Sequence, residues 1–124
     1  MIEEFRIYEL HPGKLAAFKA RFNKYAKMMF ERYGITLLGF WEIGEFPREA
    51  KPQVSKGGIV KPAMGSRFGR DRIAYLVRFD SLEQRDAAWQ AFVNDEEWLK
   101  RRAESEADGP IVAGEEAFLL APAK

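Results

Sequence analysis

A chain of 124 residues, 47% of them hydrophobic, suits one domain with a substantial core and is too short for two. Twenty basic against nineteen acidic side chains leave a net charge of +1, which sets up no field to gather nucleic acid or an anionic membrane, so neither is an expected partner. The absence of cysteine excludes disulfides and thiolate chemistry. With no apolar run of about 18 residues and no basic-then-apolar leader, it points to a soluble protein whose expected compartment is the cytoplasm.

Residues 4–10 alternate in the strand period, setting Phe5, Ile7 and Glu9 on one face and Arg6, Tyr8 and Leu10 on the other. His11, Pro12 and Gly13 then turn the chain, and Pro12 suits the first position of a helix, where a missing N–H costs nothing. Leu15, Phe18, Phe22, Tyr25 and Met29 recur at steps of three and four while Lys14, Lys19, Arg21 and Lys24 take other faces, which predicts an amphipathic helix of about five turns. Gly34 stands where a left-handed residue ends it. Residues 35–43 read as a second strand, Ile35, Leu37, Gly39, Trp41 and Ile43 opposing Thr36, Leu38, Phe40 and Glu42. Both sets are mostly apolar, so both faces are expected to be covered. Residues 73–79 form a third strand, apolar on both sides except for Arg78. Ser81, with Gln84 three residues on, is a capping box opening a second helix whose buried stripe is Leu82, Trp89, Phe92 and Val93. This helix is expected to break near Asn94 and Asp95, restart at Glu96 and stop at Asp108, Gly109 and Pro110. Residues 116–120 supply a last strand.

The order is strand, helix, strand, strand, helix, strand, which predicts a ferredoxin-like α+β two-layer sandwich over residues 1–124. A lone two-layer domain leaves one sheet face bare, and the apolar residues on both faces ask for a partner there. One segment does not fit the plan: a hairpin between strands two and three needs about two to five residues, yet residues 47–72 intervene, with Pro47, Pro52, Pro62 and four glycines. Lys51, Lys56, Lys61, Arg67, Arg70 and Arg72 make this insertion basic, while Ile59, Val60, Met64 and Phe68 are out of place in a solvated linker. A surface excursion and a dimer arm or lid are equally open readings of it.

The run Glu4-x-Arg6-x-Tyr8-x-Leu10-His11-Pro12-Gly13-Lys14-Leu15, then Leu38-Gly39-Phe40-Trp41, then Leu76-Val77-Arg78-Phe79-Asp80-Ser81-Leu82-Glu83-Gln84-Arg85-Asp86-Ala87-Ala88-Trp89, and finally Asp95-x-Glu97-Trp98, resembles the NIPSNAP family. The resemblance implies a dimeric α+β barrel, in which two sheets pack face to face across a two-fold axis. It would supply the missing cover as a second copy of the chain, with higher-order assembly left open. Neighbours of the family include cofactor-independent monooxygenases, muconolactone-type isomerases and haem enzymes. Haem is disfavoured because the sole imidazole, His11, lies in a strand-to-helix turn, although a Met or Tyr ligand stays open; no cofactor is expected.

Chemistry is then sought in a sheet-to-helix cavity. Arg6, Tyr8, His11 and Arg78 are the candidate catalytic residues, and Trp41, Tyr75, Tyr25 and Trp89 the candidate substrate-binding ones. A guanidinium in an apolar setting must be paired or must hold an anion such as a carboxylate or enolate, with Tyr8 or Tyr75 moving a proton and Trp41 stacking on a flat substrate. The structural alternative pairs Arg6 and Arg78 with Glu4, Glu9, Glu42 or Glu116. His11 is either a general base at a pocket mouth or a helix-end packing residue. No metal site is expected, since Asp95, Glu96 and Glu97 suit the negative first turn of a helix and the acidic run 104–108 a solvated helix end. No phosphate loop or nucleophile elbow is present. The expected function is binding or conversion of a small hydrophobic carbonyl or carboxylate compound, monooxygenase- or isomerase-like if enzymatic. The rival is a noncatalytic scaffold docking a partner through residues 47–72. A hollow lined by Arg6, Tyr8, Trp41 and Arg78 favours the first, and a closed core with paired arginines the second.

Overall fold

The computed structural model describes residues 1–43, 51, 53–60 and 71–123. Strands β1 (Ile2–Leu10), β2 (Thr36–Ile43), β5 (Arg72–Phe79) and β6 (Val112–Leu120) form an antiparallel sheet in the order β2-β5-β1-β6. The helices α1 (Leu15–Arg21), α2 (Lys27–Arg32), α3 (Leu82–Val93) and α4 (Glu96–Ser105) complete the ferredoxin-like plan. Strand β6 begins earlier than its apolar run suggests, because the Val112–Gly114 end pairs with β1 past an irregularity at Glu9 and Leu10.

The first helix starts at Leu15 behind Lys14, with no side-chain cap, and not at Pro12. Pro12 and Gly13 form a turn in which Gly13 takes a left-handed φ of 77° that a side chain would resist. Between α1 and α2 the chain widens into a π-helical turn, Phe22–Ala26. This moves the stripe from Tyr25 to Ala26, so that Phe18, Phe22, Ala26, Met29 and Phe30 are buried, while Arg21, ahead of the turn and three residues after Phe18, is buried at 8% exposure instead of facing solvent. Ser81 Oγ accepts the Gln84 N–H at 3.1 Å, and Gln84 Oε1 accepts the Asp80 N–H at 3.0 Å, so α3 opens as its capping pair requires. Its buried residues are Ala88, Trp89 and Phe92, whereas Leu82 and Val93 stay exposed. Asp95 restarts the chain as α4, its Oδ1 accepting the Trp98 N–H at 2.9 Å.

Strand β2 departs from simple alternation. Its register on β5 slips between Leu37 and Gly39, so Leu38 is an extra residue and the phase inverts there. Leu37 and Phe40 both reach the helix side of the sheet, Phe40 stacking 3.9 Å from Phe22, centroid to centroid. Trp41 lies on the opposite face, 49% exposed, with its ring over Gly39; a Cβ there would sit 2.2 Å from the indole. The register puts Phe5, Ile7, Leu76, Phe118 and Leu120 on that same helix-free face. The core lies on the other side, around Leu10, Met29, Ile73, Val77, Phe79 and Ile111.

Within 47–72, residues 53–60 form a hairpin of β3 (Gln53–Ser55) and β4 (Gly58–Val60), with Val54 and Ile59 exposed. Pro47, Pro52, Lys61, Pro62, Met64, Arg67, Phe68 and Arg70 lie outside the described residues. Among the described residues no helix is long and apolar enough to cross a membrane.

Candidate functional site

A cavity of about 450 Å³ opens between the sheet and the helices, with β1, β5 and the start of β6 as its floor and α1–α4 as its walls. Phe18, Phe22, Phe30, Trp89, Phe92 and Trp98 make the walls aromatic. The floor is polar because alternation on β1 puts Glu4, Arg6 and Tyr8 on the helix side, beside Tyr75 of β5 and Glu115 of β6.

Glu4 is completely buried beneath this floor. Its carboxylate accepts from Arg6 Nε (2.8 Å), Arg85 Nε (2.8 Å) and Nη2 (3.3 Å), and Trp89 Nε1 (3.1 Å). Burial alone would push this carboxyl up, but the bonds from Arg85, Arg6 and Trp89 outweigh it and hold the group below its ordinary range. Arg6 is thereby fixed, its guanidinium 4.2 Å from the centroid of the Trp89 ring. Its Nη1 lies 3.5 Å from the Tyr8 hydroxyl and 3.8 Å from the Glu115 carboxylate. The Tyr8 and Tyr75 hydroxyls are 2.9 Å apart, and burial pushes both phenols above their ordinary pKa, so both stay protonated through neutral pH.

A second ionic cluster stands at the α1/α4 side. Arg21 Nη1 reaches Ser105 Oγ and Glu106 Oε1, each at 3.3 Å, and Arg102 Nε lies 3.6 Å from the same carboxylate. Burial lowers the Arg21 pKa, with Glu106 opposing the shift. The acidic run expected to be a solvated helix end thus sends Glu106 into the cavity lining.

Of the eight residues singled out from sequence, the structure brings Arg6, Tyr8, Tyr75 and Trp89 together around the cavity. The other four lie elsewhere. His11 ties the turn after β1, its N–H donating to the Ile111 carbonyl at 2.9 Å and its carbonyl accepting from Lys14 at 3.2 Å. Arg78 falls between the core-facing Val77 and Phe79, so it points to the helix-free face and pairs with Glu3 at 3.0 Å; its buried Nε has no hydrogen-bond partner among the described residues. Trp41 shares that face, because Phe40 takes the helix-side position. Tyr25 packs outside the cavity with Lys24 and Arg101 over its ring. Arg21, Trp98, Arg102, Glu106 and Glu115 escaped the sequence reading. Only Arg21 left a signal, three residues after Phe18 and so on its stripe. Among the described residues no group of three or more His, Asp or Glu side chains could hold a metal ion.

Residues 3–51 and 45–124 match the sequence pattern of the NIPSNAP family. No curated protein matches the chain. An uncharacterised NIPSNAP domain protein of Burkholderia xenovorans superposes with a TM-score of 0.66 at 17% identity, over 99% of this chain and 95% of that one. A NIPSNAP family protein of unknown function from Agrobacterium tumefaciens gives 0.65 at 18% identity, over 100% and 89%. A variant of MhuD with two manganese protoporphyrin IX molecules per active site is more distant, 0.50 at 15% identity, over 98% and 94%. These likenesses concern the fold.

Proposed function

The chain belongs to the NIPSNAP family, and we propose that it is a homodimeric barrel protein that binds a small, mostly apolar compound bearing an oxygen acceptor. The observation that carries this reading is the cavity itself, about 450 Å³ with aromatic walls and the Arg6–Tyr8–Tyr75 cluster on its floor. Such a hollow is within the usual range of ligand sites, and its few polar groups converge on one place. Turnover of the compound, by isomerisation or cofactor-independent oxygenation, is the enzymatic form of the proposal.

The arrangement answers the test set by the sequence in a mixed way. A hollow is present, but its arginines are paired and Trp41 and Arg78 are outside it. The lining holds no imidazole or thioether, and its phenols are engaged with each other and kept protonated by burial. These residues do not fit an axially ligated metalloporphyrin.

Dimerisation is supported by the helix-free sheet face, where Trp41, Phe118 and Leu120 are exposed. A second copy placed face to face would cover them. Native mass spectrometry tests both halves of the proposal. A dimer carrying an adduct that denaturation releases is the expected result, while a bare monomer would contradict both. The exposed Val54 and Ile59 of the β3–β4 hairpin favour a second reading, a docking role for the insertion. Replacing residues 47–71 with a short turn would then abolish partner capture and leave cavity binding intact.

A further inference from the structure

We propose that the cavity selects a neutral planar aromatic carbonyl compound, such as a ketone, aldehyde or quinone, over the corresponding carboxylate, with the Tyr8–Tyr75 pair donating the hydrogen bond to its oxygen. The inference rests on the reading that this cavity binds a ligand, and it specifies the ligand's charge and polar group.

Each phenol carries one hydrogen, and guanidinium groups only donate. Arg6 Nη1 therefore offers a hydrogen to the Tyr8 oxygen and can take none. The 2.9 Å bond between the two hydroxyls uses one phenol hydrogen, whichever way it points. The other phenol hydrogen has no acceptor among the described residues. That spare hydrogen faces the aromatic-walled cavity and takes its acceptor from outside the chain, either solvent water or the oxygen of a ligand that displaces it. Burial keeps both phenols protonated, so the donor persists into alkaline solution.

Three cations line the cavity, and each already faces a carboxylate: Arg6 faces Glu4 at 2.8 Å and Glu115 at 3.8 Å, Arg21 faces Glu106 at 3.3 Å, and Arg102 faces Glu106 at 3.6 Å. Arg85 shares Glu4 and also pairs with Asp86 at 2.9 Å, so Glu4, Asp86, Glu106 and Glu115 balance Arg6, Arg85, Arg21 and Arg102, four against four. A ligand carboxylate would add an unmatched negative charge among aromatic rings, where its desolvation is not repaid. A neutral carbonyl accepts the spare hydrogen without that cost. The walls of Phe18, Phe22, Phe30, Trp89, Phe92 and Trp98 suit a flat conjugated body.

Equilibrium dialysis of the wild-type protein against 2-acetylnaphthalene, 2-naphthoate and 2-ethylnaphthalene tests this directly. The ketone should bind about tenfold tighter than either of the others, the scale of one buried hydrogen bond. Tyr8→Phe and Tyr75→Phe singly each leave one phenol hydrogen and should keep part of the preference, whereas the double substitution should erase it. Equal binding of ketone and hydrocarbon, or tighter binding of the naphthoate, overturns the inference while leaving the cavity reading in place. A preference that survives in the double variant overturns the role of the tyrosines. Failure of all three probes to bind overturns the cavity reading as well. The wild-type comparison decides the case even if the double variant does not fold.

Discussion

Replacing Glu4 with alanine would strip the shared acceptor from Arg6, Arg85 and Trp89 at once, leaving two guanidinium groups beside a buried void. The expected loss is about 3 kcal/mol of unfolding free energy, readable from the urea midpoint. Arg6→Met should cost less, because Glu4 keeps Arg85 and Trp89. Gly39 presents a different constraint: its missing Cβ is the space the Trp41 ring occupies, so Gly39→Ala should expel the indole and shift tryptophan emission to the red with little change in secondary structure. The Tyr8–Tyr75 pair links stability to pH. Burial raises both phenols above the ordinary value of about 10, so the unfolded chain releases those protons first. Stability is full below about pH 10 and falls as pH rises past it, and the double phenylalanine variant should show a smaller alkaline loss in urea titrations at two pH values.

At the scale of elements, the α3–α4 junction carries a prediction of opposite sign. Asp95 caps α4 and is held down to about 2 by the Tyr33 phenol, by the Trp98 N–H and by Arg32. Its stabilising contribution is present above the unfolded value of about 4 and is lost as pH falls from there toward 2. Asp95→Asn keeps a good capping side chain, so its stability should decline less over that acid window when followed by circular dichroism. The cap was legible in sequence, as were the restart at Glu96 and the Ser81–Gln84 pair, because capping is decided by neighbours in the chain. The β2 bulge and the π-helical turn were not. Both arise where an element must fit a surface built by distant residues, β5 for one and the aromatic core for the other. The bulge explains why Phe40 enters the core while Trp41 leaves it, and the π turn why Ala26 is buried in the place expected of Tyr25.

For the whole molecule, the helix-free face of the sheet sets the next prediction. On the proposed face-to-face dimer, Trp41→Glu combined with Phe118→Glu should convert a dimer to a monomer in sedimentation velocity. The cavity, built on the opposite face, should still bind its probes. A monomeric wild type would remove the dimer from the proposal and leave the apolar face to another partner.

Local pattern alone determined the order of strands and helices outside the 47–72 insertion, most of their faces, the two capped helix starts and the family. It also brought out Arg6, Tyr8, Tyr75 and Trp89, since alternation in the two central strands and the stripe of one helix share a side that can be read residue by residue. Tertiary structure alone decided which polar groups meet. Glu4 gathers Arg85 and Trp89 from more than 80 positions away, and Glu106 turns back to Arg21 across 85. The same placement took His11, Arg78, Trp41 and Tyr25 out of the cavity. Periodicity assigns a side chain to a face, but the distance between two side chains on facing layers depends on how the helices settle on the sheet, and no local pattern encodes that.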